Sequence, residues 1–194
     1  MRVWKCTICN YIHEGPAPPD KCPVCGAGPN KFIEITQKDD KHNTGPEPDK
    51  TGMDKIMDML VKHHAHPILV HTPNGLVPVA VLLWAVAWIS GSQIPAKAAA
   101  IDLGFVVASL PLVIFTGVLE WKHKYKGHLT SAFRIKILAA AVTAAGSVAS
   151  LIWYLAVPDV LSSPGAGLFI FINLVMLAAT GVAGHIGGKF VFRD

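Results

Sequence analysis

Four long apolar segments, Ile68 to Gly91, Ala98 to Trp121, Ile137 to Val157 and Ala166 to Ile186, fill most of this chain beyond Pro67. Each is long enough to cross about 30 Å of hydrocarbon as a helix. The chain has 194 residues, 52% of them hydrophobic and only 15% charged, a balance foreign to an ordinary soluble domain. The segments therefore predict four transmembrane helices. The connections Ser92 to Lys97 and Pro158 to Gly165 are short, and short connections join antiparallel neighbours, which predicts an all-α up-down four-helix bundle.

Charge orients this bundle. Lys122, Lys124, Lys126, Arg134 and Lys136 crowd the connection between the second and third spans, and Lys189 and Arg193 follow the fourth, whereas the other two connections offer only Lys97. By the positive-inside rule both termini are expected in the cytoplasm, in a multi-pass protein of the cell membrane. The formal net charge of +4 is explained by this collar, so no nucleic-acid partner is implied. The collar suits anionic lipid headgroups or an acidic soluble redox partner. Small residues, among them Ala139, Ala140, Ala141, Ala144, Ala145, Gly146, Gly181 and Gly184, mark the third and fourth spans as sites of close helix approach.

Ahead of the spans stand two cysteine pairs, Cys6-Thr-Ile-Cys9 and Cys22-Pro-Val-Cys25-Gly26, about a dozen residues apart. Four thiolates at this spacing suit one tetrahedral ion, iron or zinc. The surrounding residues, Trp4-Lys5-Cys6-Thr7-Ile8-Cys9-Asn10-Tyr11 with Cys22-Pro23-Val24-Cys25-Gly26-Ala27 and Phe32, resemble rubredoxins, most closely the short rubredoxin-like module of rubrerythrins. The resemblance covers about the first 35 residues. It implies a small β domain in which Cys6, Cys9, Cys22 and Cys25 ligate one iron per chain that shuttles between ferric and ferrous states. Asn10 stands where that family usually has glycine, and asparagine is the other residue that best tolerates positive φ. A structural zinc ribbon carries the same knuckles and stays open as the alternative. Disulfides are not expected, since the chain shows no signal peptide and the head is placed in a reducing compartment. So short a segment cannot bury a sufficient apolar core, so the metal supplies most of its folding energy.

Between the two parts, Thr36 to Thr51 is polar, Pro/Gly-punctuated and aperiodic, and reads as a flexible linker on which the head moves. Thr51-Gly52-Met53-Asp54 then has the form of a capping box. Met53, Ile56, Met57, Leu60 and His64 follow at helical spacing, giving an amphipathic interfacial helix over residues 52–65, with a helix that packs on the head as the alternative. The expected organisation is a metal-binding domain over 1–35, a linker over 36–51, this helix, and a transmembrane domain over 66–192.

The topology collects histidines at one end. His63, His64, His66 and His71 precede or open the first span, His123 and His128 lie between the second and third, and His185 closes the fourth. Pro67 suits a first helical position, which leaves His66 near the cap and His71 about a turn inside, pointing into the bundle. Pro73 and Pro78 are each expected to remove a backbone hydrogen bond and kink this helix. Gly184, Gly187 and Gly188 leave space around His185 for a planar ligand. Ionisable side chains inside a membrane helix are by default functional. His71 and His185 are therefore read as axial ligands of a haem b, with His66 and His128 available for a second haem or for propionates. The HPxxVH-type start and the Gly-Gly-Lys-Phe-Val ending are similar to a prokaryotic family of four-helix membrane proteins; analogy with cytochromes b implies haem but assigns no ligands.

Other metal chemistry has less support. Glu120 and His123 have the ExxH spacing of di-iron bundles, but the spans offer only Asp102 as a further carboxylate, and Asp102 is expected near a helix N-terminus. The functional expectation is a membrane-bound electron carrier passing single electrons between the cytoplasmic iron centre and haem b, onward to quinone, an oxygen species or a soluble redox protein. A zinc-ribbon membrane adaptor is the alternative, and an oxidoreductase acting on superoxide, peroxide or quinone is a third. Homo-oligomerisation is compatible with all three.

Overall fold

The computed structural model describes residues 2–35, 52–63 and 65–192. The linker over 36–51, the proposed cap residue Thr51, and His64 lie outside the described residues. The chain divides into two compact units. One comprises Met1–His66, Phe115–Arg134 and Gly188–Asp194; the other comprises Pro67–Ile114 and Ile135–Gly187.

The first unit holds a three-stranded antiparallel sheet, β1 (Arg2–Cys6), β2 (Ile12–Gly15) and β3 (Phe32–Ile35), in the order β2-β1-β3. β1 is central because it ends in the first cysteine pair and hydrogen-bonds on both edges, pairing Trp4 with His13 on one side and with Glu34 on the other. Trp4 pins the turn beyond β2 by donating its indole N–H to the Gly15 carbonyl at 3.2 Å. Thr7 ties the first cysteine loop to the residues before β3, its amide and its hydroxyl both donating to the Lys31 carbonyl, at 2.8 and 3.0 Å. The head is thus a small sheet closed at one end by cysteines.

Two short helices follow, α1 (Gly52–Lys62) and α2 (Ala65–Leu69). α1 leaves Ile56 and Met59 exposed. The same unit contains an aromatic cluster drawn from three helices: Tyr125, just past the end of α4 (Gln93–Lys124), Phe133 near the start of α5 (Ser131–Ala156), and Phe190 near the end of α6 (Ala166–Phe192). Phe133 and Phe190 stack with centroids 4.5 Å apart, and Tyr125 meets them at 4.8 and 5.3 Å.

The second unit is built from α3 (His71–Ser90) and the longer parts of α4, α5 and α6. All four are long and apolar enough to cross a membrane. α3 and α6 run antiparallel. Asn74 at the start of α3 meets Gly184 late in α6, while Trp84 further along α3 meets Phe169 at the start of α6. Trp84 anchors the core between Phe169 and Tyr154, with centroids 4.8 and 6.2 Å away, and Val77, Ala80, Leu103 and Val106 complete it. Between α5 and α6 the small residues do what hydrocarbon cannot. Thr143 and Thr180 share a hydroxyl contact at 3.2 Å, Ser147 donates to the Met176 sulfur at 3.3 Å, and Gly146 lets Met176 approach closely.

Three local expectations are corrected. Pro67 is the third residue of α2, and the helix breaks at Val70, so His71 opens a new helix rather than lying a turn inside one, and it is exposed. Pro73 is the third residue of α3, where no intrahelical partner is needed, so only Pro78 removes a bond from the helix interior. α4 begins at Gln93, with Pro95 accommodated in its first turn, which puts Asp102 about two and a half turns inside rather than at the N-terminus.

Candidate metal centre

The two cysteine pairs fold as matching knuckles. In each, the residue after the second cysteine turns back so that its amide donates to the carbonyl of the first: Asn10 to Cys6 at 2.9 Å, and Gly26 to Cys22 at 2.8 Å. The first cysteine's own amide then donates across the loop, Cys6 to Tyr11 at 2.8 Å and Cys22 to Ala27 at 2.7 Å. This turn requires positive φ at its corner, 60° at Asn10 and 74° at Gly26, the region that glycine enters freely and asparagine better than most. The departure at Asn10 therefore leaves the knuckle intact.

The knuckles face each other. Sγ of Cys6 lies 3.8 Å from that of Cys25, and Sγ of Cys9 lies 3.5 Å from that of Cys22. All four sulfurs fall within 4.8 Å of one another. An ion about 2.3 Å from each of four tetrahedral thiolates holds them about 3.8 Å apart, so the cage fits a tetrathiolate metal without rearrangement. Every cysteine is buried, the most accessible at 5%, and all four are free thiols. Among the described residues this is the one grouping of three or more metal-ligating side chains that converges.

Crowding shifts the acidity of Cys9, Cys22 and Cys25. Hydrogen bonds from Cys25 and then Cys9 lower the Cys22 thiol to about 2. Its hydrogen bond to Cys22 pushes Cys25 up to about 12, and the same partner raises Cys9 most. Without a cation, one thiolate is thus stabilised by neighbours that keep their protons. Loading a divalent or trivalent ion must release whatever protons the thiols hold, so metal affinity falls in acid. Backbone N–H groups of Tyr11 (to Cys9), Val24 and Cys25 (to Cys22) and Ala27 (to Cys25) also point at the sulfurs. Such bonds offset thiolate charge and tune the potential of a redox metal. The sequence reading did not single out these amides, yet they follow from the positive-φ corners that the CxxC-Asn and CxxC-Gly patterns require.

The histidines are placed less uniformly. His66, on α2, is half-buried. Its ring lies over Gly117, where a Cβ would come within 2.9 Å of Cε1, and its Nδ1 is 3.4 Å from the Thr116 hydroxyl. Neither partner was anticipated, although a glycine beside a threonine inside an apolar helix is a signal of close approach. His71, His128 and His185 are exposed. His128 is held through its carbonyl, which accepts from the Trp121 indole at 3.0 Å. The first turn of α3 and the late turns of α6 adjoin, since Asn74, one turn beyond His71, packs on Gly184 beside His185. His63 and His123 are exposed as well, and Glu120 pairs with Lys124 at 3.3 Å rather than with His123.

Comparison with known proteins points to the head. Residues 4–33 match the family described as rubrerythrin, rubredoxin-like domain. The chain is similar to Reverse rubrerythrin-1 of Clostridium acetobutylicum, 45% identical over 49 residues that make up 23% of this chain and 27% of that protein. It is also similar to Rubredoxin-2 of Chlorobaculum tepidum, 42% identical over 52 residues, covering 18% of this chain and 100% of that protein. The chain thus spans about a quarter of the length of the first of these relatives. No solved structure matches.

Proposed function

Since the chain belongs to the rubredoxin family through its N-terminal domain, we propose that it is a membrane-bound electron-transfer protein whose head relays single electrons to the helical part. The observation that carries this reading is a buried tetrathiolate cage on the same chain as four helices long and apolar enough to span a bilayer. Iron bound by Cys6, Cys9, Cys22 and Cys25 supplies a one-electron change with no bond made or broken. The protein's own contribution is to bury the sulfurs and to aim backbone N–H groups at them, which would offset the charge of thiolates holding an iron.

In the helical part we read a haem b held near the cytoplasmic face by His71 and His185, with His66 and His128 serving a second haem or propionates, in the manner of four-helix cytochromes b. Support comes from the adjoining ends of α3 and α6, from the exposure of both imidazoles, and from the glycines around His185. The half-buried imidazole of His66 sets its Nδ1 3.4 Å from the Thr116 hydroxyl, and a histidine that binds a metal usually has its other ring nitrogen engaged by a polar neighbour in this way. Both termini face the cytoplasm in this reading. The basic collar receives a soluble redox protein, and quinone is the lipid-phase partner.

The decisive experiment is the visible spectrum of the detergent-purified chain, produced with adequate iron and haem, before and after dithionite. A ferric-thiolate absorption that bleaches, together with sharp reduced b-type bands, is expected. His71→Ala and His185→Ala each remove the low-spin haem bands and leave the iron absorption. An unchanged haem spectrum in both variants refutes the ligand assignment. A colourless protein with zinc in the cage returns the zinc-ribbon adaptor, because the sulfur geometry accepts either ion.

A further inference from the structure

The seam between α5 and α6 keeps one antiparallel register along its length. Thr143 meets Thr180 at 3.2 Å, Ser147 meets Met176 at 3.3 Å, and Trp153 meets Phe169 with ring centroids 5.7 Å apart. Between the last two contacts, Ser150 stands three residues beyond Ser147, and Asn173 three residues before Met176. The register therefore sets these two side chains opposite each other, and both are sealed inside the bundle, at 1% and 0% exposure. The other polar side chains of the seam give their hydrogens to their own helix: Thr143 to the Ala139 carbonyl, Ser147 to that of Thr143, and Thr180 to that of Met176. Asn173 does so with one end only. Its Nδ2 donates to the Phe169 carbonyl at 2.8 Å, which fixes the amide and turns Oδ1 the other way. That oxygen and the Ser150 hydroxyl have no hydrogen-bond partner among the described residues. Nor has the indole N–H of Trp84 in α3, whose ring packs 4.8 Å from Phe169, one turn from Asn173, and 6.2 Å from Tyr154, one turn from Ser150.

We propose that Ser150, Asn173 and Trp84 form an internal binding site for one ordered water, shared by α3, α5 and α6. A serine hydroxyl and an amide oxygen are complementary. Facing each other without a bond, they lie beyond direct reach, and a polar pair so spaced is a seat for a bridging water. The three groups also select the chemistry of the guest. An indole N–H repels a metal cation, an amide oxygen repels an anion, and a serine hydroxyl gives or takes a hydrogen bond. A neutral molecule that both donates and accepts suits all three. Water accepts from Trp84, donates to Asn173 and bonds a third time with Ser150, and buried waters typically make about three such bonds. Solvent outside the bundle cannot take that part, because lipid surrounds helices that span a membrane. The water therefore belongs to the fold: it ties α3 to the α5–α6 seam where the seam's own hydroxyl contacts stop. The inference is independent of what the head binds and of any cofactor in the helices.

The test uses the full-length chain in lipid nanodiscs, with nitrogen-labelled tryptophan and asparagine. Magnetisation transfer from water is read at the Trp84 indole N–H and at the Asn173 side-chain amide, signals identified by their loss in Trp84→Phe and Asn173→Leu. In the unaltered chain both groups are expected to cross-relax with a long-lived water. Ser150→Ala removes one of the water's about three partners and is expected to cut the transfer to Trp84 to about a third or less. Ser150→Thr keeps the hydroxyl and retains the transfer, and helical circular dichroism checks that each variant is folded. No transfer to either group in the unaltered chain overturns the site, a reading that stands even if Ser150→Ala does not fold. Transfer to Trp84 that is unchanged in both Ser150→Ala and Asn173→Leu also overturns it, because the water then lies elsewhere. Equal loss in Ser150→Ala and Ser150→Thr overturns the part given to the hydroxyl.

Discussion

In the head, Cys6 and Cys25 are 0% exposed although the domain around them is only about 35 residues long; in the helices, Leu82, Ile89, Ile94 and Leu155 are 64 to 84% exposed although they belong to the most apolar part of the chain. The two regions solve opposite problems. The head is too small to bury a large apolar core and closes around four sulfurs, with Ile8, Val24, Ala27 and Phe32 buried beside them. The helical part has a modest interior, centred on Trp84, and an outside as greasy as a core, which soluble monomers do not display. One region offers a cage for an ion, and the other offers helices long and apolar enough to cross a membrane.

The sharpest way to break this contrast is to remove the metal. Chelation, or Cys9→Ser, is expected to unfold the head outright, since structural tetrahedral sites contribute on the order of 10 kcal/mol to the folding of small domains. Helical circular dichroism should persist almost unchanged. Loss of the helical signal together with the head would show that the metal organises the whole chain and that the two regions are not separate.

Trp84→Ala is the converse. Trp84 is fully buried against Tyr154 and Phe169, and its removal leaves a cavity worth about 3–5 kcal/mol. Unfolding of the helices in detergent should shift by that amount while the metal site keeps its absorption. An unshifted unfolding curve would mean that lipid or detergent contacts, rather than the interior, hold the helices together.

The contrast also explains what could be read from the sequence. Cysteine spacing is a local code: CxxC with a positive-φ residue behind it makes a knuckle whatever lies around it, so the cage was legible residue by residue. Hydrocarbon thickness is an equally blunt constraint, and four apolar segments of membrane length became four helices. What stayed hidden depends on residues far apart in sequence, or on one-residue shifts of a helix start. Nothing local brings Gly117 to His66. Pro67 at a helix start would carry His71 inward, but the helix breaks at Val70 and starts afresh at His71, which is exposed. Asp102 was misplaced because Pro95 was not recognised as a first-turn proline, which lengthened α4 by more than a turn at its beginning.

Asn10→Gly sharpens the comparison within the head. Its twin knuckle uses Gly26 at φ 74°, whereas Asn10 holds 60° with a side chain attached. Relief of that strain is expected to stabilise the metal-loaded head by up to about 1 kcal/mol, read as slower metal loss to a chelator, with no effect on the helices. A destabilised variant would show that the asparagine side chain makes a bond that the turn depends on.

The smallest effect tests the polar glue of the helical part. The Thr143 hydroxyl, 3.0 Å from the Ala139 carbonyl and 3.2 Å from Thr180, has an intrahelical acceptor whether or not α6 is present. Its interhelical share should therefore be modest, near the ~0.6 kcal/mol average for hydrogen bonds between membrane helices. A double-mutant cycle of Thr143→Ala and Thr180→Ala isolates it. A coupling well above 1 kcal/mol would mean that α5 and α6 are held by hydrogen bonds. A coupling near zero would leave close packing at Gly146 as what holds them, since burial of apolar surface supplies little to helices that lie in lipid.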